Sequence, residues 1–114
     1  LSGTPTNGDI GDIDVTVTAD DGNGGTVEDT FQISVTNTND APTVTPIADT
    51  GVNEDAALSY DVSGQFADVD VGDVLTYSLG PGAPAWVSIN AATGELTGTP
   101  TNDDVGINTV SVRV

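Results

Sequence analysis

Trp86-Val-Ser-Ile-Asn-Ala-Ala-Thr-Gly-Glu-Leu-Thr-Gly-Thr-Pro100 is the stretch that decides the fold. Trp86, Val87 and Ile89 open a structured segment. Ala91-Ala-Thr-Gly94 has the small and turn-forming residues that reverse a chain. Glu95–Gly98 then reads as a short strand. Trp86 is the only tryptophan and stands directly before Val87 and Ile89, so it reads as a core anchor rather than a sugar-stacking platform.

The end of this stretch is a repeat. Leu96-Thr-Gly-Thr-Pro-Thr-Asn-Asp-Asp-Val-Gly106 echoes Leu1-Ser-Gly-Thr-Pro-Thr-Asn-Gly-Asp-Ile-Gly11. Carried through Leu1–Ala19 and Leu96–Val114, 10 of 19 positions are identical. A period near 95 residues in a chain of 114 is expected of a cut from a tandem array. On this reading residues 1–37 are the C-terminal part of one repeat, with late strands and a terminal hairpin. Residues 38–42 are an inter-repeat linker. Residues 43–114 are most of the following repeat, lacking its last strand.

Working outward, Ile13, Val15, Val17 and Ala19 alternate with polar residues, as do Phe31, Ile33 and Val35. Between them Asp20-Asp-Gly-Asn-Gly-Gly25 favours positive φ, so the two runs are expected to form a hairpin. Pro42 stops pairing after Asn37-Thr-Asn-Asp-Ala. Residues 43–51 read as an irregular edge around Pro46, Ala57–Val62 as a short strand, Leu75–Leu79 as a stronger one, and Val105–Val114 as the repeated strand. No segment carries an apolar 3.6-residue period over three turns. The expected fold is all-β, a sandwich of many short strands.

Eighteen acidic residues face a single basic one, Arg113, giving a net charge of -17. Self-repulsion of that size opposes compaction, and divalent cations are the natural counterweight. Nucleic acid is disfavoured as a partner because no Lys/Arg surface exists to displace phosphate counterions, and an anionic membrane for the same reason. No run approaches membrane-spanning length. With no cysteine and no histidine, thiol chemistry and a Ser–His–Asp triad are both excluded. Paired carboxylates for glycoside hydrolysis need an apolar cleft to raise one pKa, and the acidic residues here lie in glycine-rich loops.

The Trp86–Pro100 stretch resembles the signature of dystroglycan-type cadherin-like domains, also described as immunoglobulin-like domains of bacterial surface proteins. Asp104-Val-Gly106 fits the same pattern. So do the hairpin from Val15-Thr-Val-Thr-Ala-Asp-Asp-Gly22 through Phe31–Val35 and its ending at Asn39-Asp-Ala-Pro42. The resemblance implies an immunoglobulin/cadherin-like Greek-key β-sandwich in a large secreted or cell-surface bacterial protein. It implies a non-catalytic module that spaces other modules and supports adhesion, joined head to tail to neighbouring repeats. The alternative is a calcium-dependent carbohydrate-binding module acting on a polysaccharide or cell-surface ligand.

The acidic residues cluster where calcium, a hard ion wanting six to eight oxygens, finds ligands. Asn37, Asn39 and Asp40 lie in the linker, Asp68-Val-Asp70 with Asp73 precede Leu75, and Asp20 and Asp21 lie in the hairpin loop. Spaced two apart, Asp68 and Asp70 can face one side of an extended segment. The resemblance assigns the ligands: Asn39 and Asp40 match the cadherin linker, Asp68 and Asp70 its Asp-x-Asp pair, and Asp21 the later completing aspartate. Glu54 matches the glutamate that serves the next boundary. Asn37 and Ala41 depart from the cadherin pattern, which points to one or two ions rather than three. The competing role for any single aspartate is a turn cap.

The repeat also suggests strand exchange. The roughly six linker residues span about 20 Å, against about 30 Å for the length of a sandwich. One expectation is that the hairpin completes the sandwich of a second copy, giving a strand-swapped homo-oligomer; the rival reading is that the boundaries are an accident and part of the N-terminus is a loosely held tail.

Overall fold

A computed structural model describes all of residues 1–114. The chain divides into two compact units, Leu1–Asn39 and Asp40–Val114. There is no α-helix; regular structure consists of nine strands and three short 3-10 turns.

The first unit is a hairpin. Strand β1 (Gly11–Asp20) pairs antiparallel with β2 (Thr26–Val35), Ile13 opposite Ile33 and Val15 opposite Phe31. Both strands extend beyond the alternating core of the pattern, because the polar residues flanking the loop also pair. The register sorts side chains by face. Ile13, Val15, Val17, Val27, Phe31 and Ile33 share one face; Asp14, Thr16, Glu28, Thr30 and Gln32 share the other. Across the polar face Thr16 and Thr30 hydroxyls meet at 2.7 Å. The loop is closed by Asp21, whose N–H donates to the Gly25 carbonyl at 3.0 Å. Before β1, Thr6 donates from its N–H and its hydroxyl to Asp9 Oδ2, both at 2.8 Å.

The second unit holds seven strands: β3 (Thr43–Val44), β4 (Leu58–Asp61), β5 (Phe66–Ala67), β6 (Ser78–Leu79), β7 (Val87–Ile89), β8 (Glu95–Gly98) and β9 (Val112–Arg113). β8 lies between β4 and β7, β3 pairs with β5, and β6 with β9, all antiparallel. Val62, Val87 and Leu96 form the buried core. Ile47, Tyr60, Phe66, Leu79, Trp86, Ile89, Val110 and Val112 pack against it. Tyr77 is also buried and meets Phe66 edge to face at 5.7 Å. Trp86 thus packs as an anchor against the core.

Several strand limits differ from the sequence reading. The Leu75–Leu79 strand reduces to Ser78–Leu79, because the Tyr77 N–H donates to Ala91 O in the 90–94 turn instead of to a neighbouring strand. The segment read as irregular, 43–51, opens with β3, whose partner β5 has too few residues to show a period. The repeated strand at 105–114 is paired only at Val112–Arg113. Upstream, Asn108 Nδ2 donates to Asp104 O at 2.8 Å and Gly106 O at 3.3 Å, which holds a turn in place of a ladder.

Candidate metal site

The β3–β5 ladder sets Thr43 opposite Ala67 and Val44 opposite Phe66. Continuing that register past the strand ends places Asp40 opposite Asp70. The Asp40 N–H donates to Asp70 Oδ2 at 2.6 Å. Asp68 accepts the Asp70 N–H at Oδ1, 2.9 Å, in a tight Asx turn. The Asp73 N–H donates to Asp70 O at 3.3 Å. Gly72, at φ +103°, turns the loop so that Asp73 comes back toward the other two. One carboxylate oxygen from each of Asp68, Asp70 and Asp73 lies within 4.8 Å of the others.

Asp70 is the unusual member. It is 4% exposed, the only buried charged or polar residue of the chain. Its Oδ1 is buried without a hydrogen-bond partner. A buried, unsatisfied carboxylate oxygen costs free energy and calls for a cation or a donor. Two more carboxylates beside it make a cation the fitting group. Three hard oxygen donors on an irregular loop are of the type that calcium takes. There is no soft or imidazole ligand for a transition metal.

The other expected ligands have contacts of their own. Asp40 meets this cluster through its backbone N–H, and its carboxylate is not one of the three grouped oxygens. Asn39 closes the first unit. In the first unit, Asp21 Oδ1 accepts the N–H groups of Asn23 at 2.8 Å and Gly25 at 2.9 Å. These donors hold its carboxyl below the usual aspartate range, Asn23 contributing most. Asp21 therefore shapes its own loop. Glu54 faces Asn102: with the amide turned so that its nitrogen meets the carboxylate, Asn102 donates to Oε1 at 3.1 Å and also to Oε2. Asp73, which the cadherin comparison leaves out, belongs to the cluster; its signal was its place three residues after Asp70 with Gly72 between them.

Trp86 and Tyr77 pack inward, and the Tyr60 hydroxyl donates to Ala48 O at 2.9 Å.

A search of the curated proteins finds no match to this chain. The model of one protein family, described as "Putative Ig domain", matches residues 1–36 and 41–114. Immunoglobulin-like repeats of this kind are typical of extracellular surface proteins and are generally non-enzymatic. No helix here is long and apolar enough to cross a membrane. With nearly its whole length matched in two consecutive pieces and an all-β fold, the chain belongs to this immunoglobulin-like domain family.

Proposed function

We propose that the chain is a calcium-stabilised, non-catalytic repeat module of a secreted or cell-surface bacterial protein, akin to the dystroglycan-type cadherin-like domains. In this role it spaces neighbouring repeats and supports adhesion by modules elsewhere in the polypeptide. The observation that carries the calcium reading is Asp70, buried with Oδ1 unpartnered beside Asp68 and Asp73. Calcium there satisfies the orphaned oxygen and removes the mutual repulsion of three carboxylates. It also ties the 68–73 loop to Asp40, the first residue of the unit, through the Asp40–Asp70 hydrogen bond. The ion's role is structural. The inward packing of Trp86 and Tyr77 supports a spacer over a sugar-stacking surface.

The test is thermal melting of the purified protein, of measured solution mass, across a calcium titration with matched magnesium. A rise in Tm specific to calcium, lost in Asp68→Asn/Asp70→Asn, supports the site. An equal rise with magnesium or plain salt shows general charge screening and overturns it.

A further inference from the structure

Three dipeptides of the first unit have the composition that favours spontaneous imide formation: Asn7-Gly8, Asp21-Gly22 and Asn23-Gly24. In each, glycine puts no side chain over the backbone nitrogen that would attack the preceding side-chain carbonyl carbon. The sequence does not rank the two Asn-Gly pairs. The structure separates all three sites.

Asn7-Gly8 lies inside a closed turn. Residues Asn7–Asp9 are 3-10, the Thr6 N–H and hydroxyl both donate to Asp9 Oδ2 at 2.8 Å, and the Asp9 N–H donates to Thr6 O at 2.9 Å. Helical dihedrals at Asn7 leave the Gly8 nitrogen out of the plane that a five-membered imide needs, so ring closure must first open this turn. Asp21-Gly22 is blocked at both partners. The Gly22 N–H donates to Asp20 Oδ1 at 2.8 Å. An aspartyl imide forms from the neutral acid, which loses water. The N–H groups of Asn23 and Gly25 instead keep the Asp21 carboxyl ionised, below the usual aspartate range.

Asn23-Gly24 is open. Of the five N–H groups of residues 21–25, four donate: Asp21 to Gly25 O, Gly22 to Asp20 Oδ1, and Asn23 and Gly25 to Asp21 Oδ1. The Gly24 N–H, the one that must react, makes no hydrogen bond. Gly24 sits at φ +95° with nothing within 4 Å of where a Cβ would stand. The Asn23 side chain is exposed and held by Nδ2 donating to Asp21 O at 3.1 Å, the longest bond of the loop.

We infer that Asn23 is the first of these sites to react in the folded chain, deamidating through an imide with Gly24 and placing isoaspartate in the hairpin loop. Hydroxide takes the Gly24 amide proton, and the nitrogen bonds to Asn23 Cγ. The tetrahedral centre gains a proton on Nδ2 and expels ammonia. Water then opens the imide at the Cγ–N bond to give aspartate, or at the backbone C–N bond to give isoaspartate. The sum is amide plus water to acid plus ammonia. Isoaspartate routes the backbone through Cβ and Cγ, which lengthens it between the two N–H groups that Asp21 Oδ1 accepts. That double acceptance is lost, and the Asp21–Gly25 closure with it.

The test is ageing of the full 114-residue protein in mildly alkaline buffer, folded and in urea. Fragmentation mass spectrometry locates each amide-to-acid exchange and tells isoaspartate from aspartate. In the folded protein Asn23 should convert about fivefold or more faster than Asn7, whose turn must first give up its hydrogen bonds. In urea the two rates should converge. Asn23→Gln should remove the fast phase and leave conversion at Asn7 unchanged. The isoaspartate form, separated by chromatography, should lose amide-exchange protection at Asp21 and Gly25. Equal rates in the folded protein, Asn7 ahead of Asn23, a difference that persists in urea, or protection that survives at Asp21 and Gly25 overturns the assignment.

Discussion

Asp40 and Asp70, thirty residues apart, are joined by a 2.6 Å hydrogen bond from the backbone N–H of the first to the carboxylate of the second. The bond is the β3–β5 register carried beyond its last ladder pair. The same carboxylate leaves its other oxygen buried and unpartnered. Asp70 thus has two unlike halves, one oxygen bonded to the start of the unit and the other buried without a partner.

The two halves separate by substitution. Asp70→Asn keeps an acceptor for Asp40 but removes the charge. It should leave the metal-free Tm equal or higher and abolish the calcium response. Asp70→Ala strands the Asp40 N–H and should lower stability by about 1–3 kcal/mol. Paired melts with calcium and with chelator distinguish these outcomes.

Acid should loosen the turns first. Asp21 in the hairpin loop, Asp61 at the end of β4 and Asp9 before β1 all have carboxyls held low by hydrogen bonds. The chief donors are the backbone N–H groups of Asn23, Ser63 and Thr6. Because their folded pKa values are depressed, the stability they contribute is full above the unfolded aspartate value near pH 4. It is lost as pH falls through the lower folded values. Circular dichroism between about pH 5 and pH 2 should show this loss, and Asp21→Asn should flatten the part that belongs to the hairpin.

Gly98 lies in β8 opposite both Leu58 and Val87. A Cβ there would run into the Trp86 carbonyl and come within 2.9 Å of its ring at Cε3. Backbone cannot yield as a flexible side chain does, so Gly98→Ala should destabilise the second unit by about 1–3 kcal/mol. Trp86, the single tryptophan, reports the change directly by fluorescence in a denaturant titration.

Leu96→Ala removes a buried side chain from a core whose fully interior part is small. A loss of about 2–5 kcal/mol is expected. The hairpin amide signals of residues 11–35 should be unchanged by NMR, since Leu96 belongs to the second unit alone.

The hairpin and the β7–turn–β8 segment were legible because their signals are local: alternation of two, a glycine-rich loop, a small-residue turn. Strand β5 was not, since two residues carry no period and their pairing depends on Thr43 and Val44 more than twenty positions earlier. The long strand read at 105–114 failed for a related reason. Alternation states what a segment can pair with, and only a partner makes it a strand. At the site, the Asp68–Asp70 pair was visible as spacing. The part played by Asp40 was not, because it acts through a backbone N–H that every residue except proline possesses. What residue type did not show for Asp21 and Glu54 is that each carboxylate meets nearby amides.

The Thr6–Asp9 and Thr101–Asp104 loops close in the same way. In the second, Thr101 donates to Asp104 Oδ2 at 2.9 Å from its N–H and 2.8 Å from its hydroxyl, and Asp104 returns an N–H to Thr101 O at 2.9 Å. One copy leads into a ten-residue strand and the other into an unpaired run, yet the loop geometry does not change. Its shape is determined within four residues and owes nothing to the chain downstream. A loop of that kind is a self-contained building block: the same four residues close in the same way inside both units, whatever strand follows them.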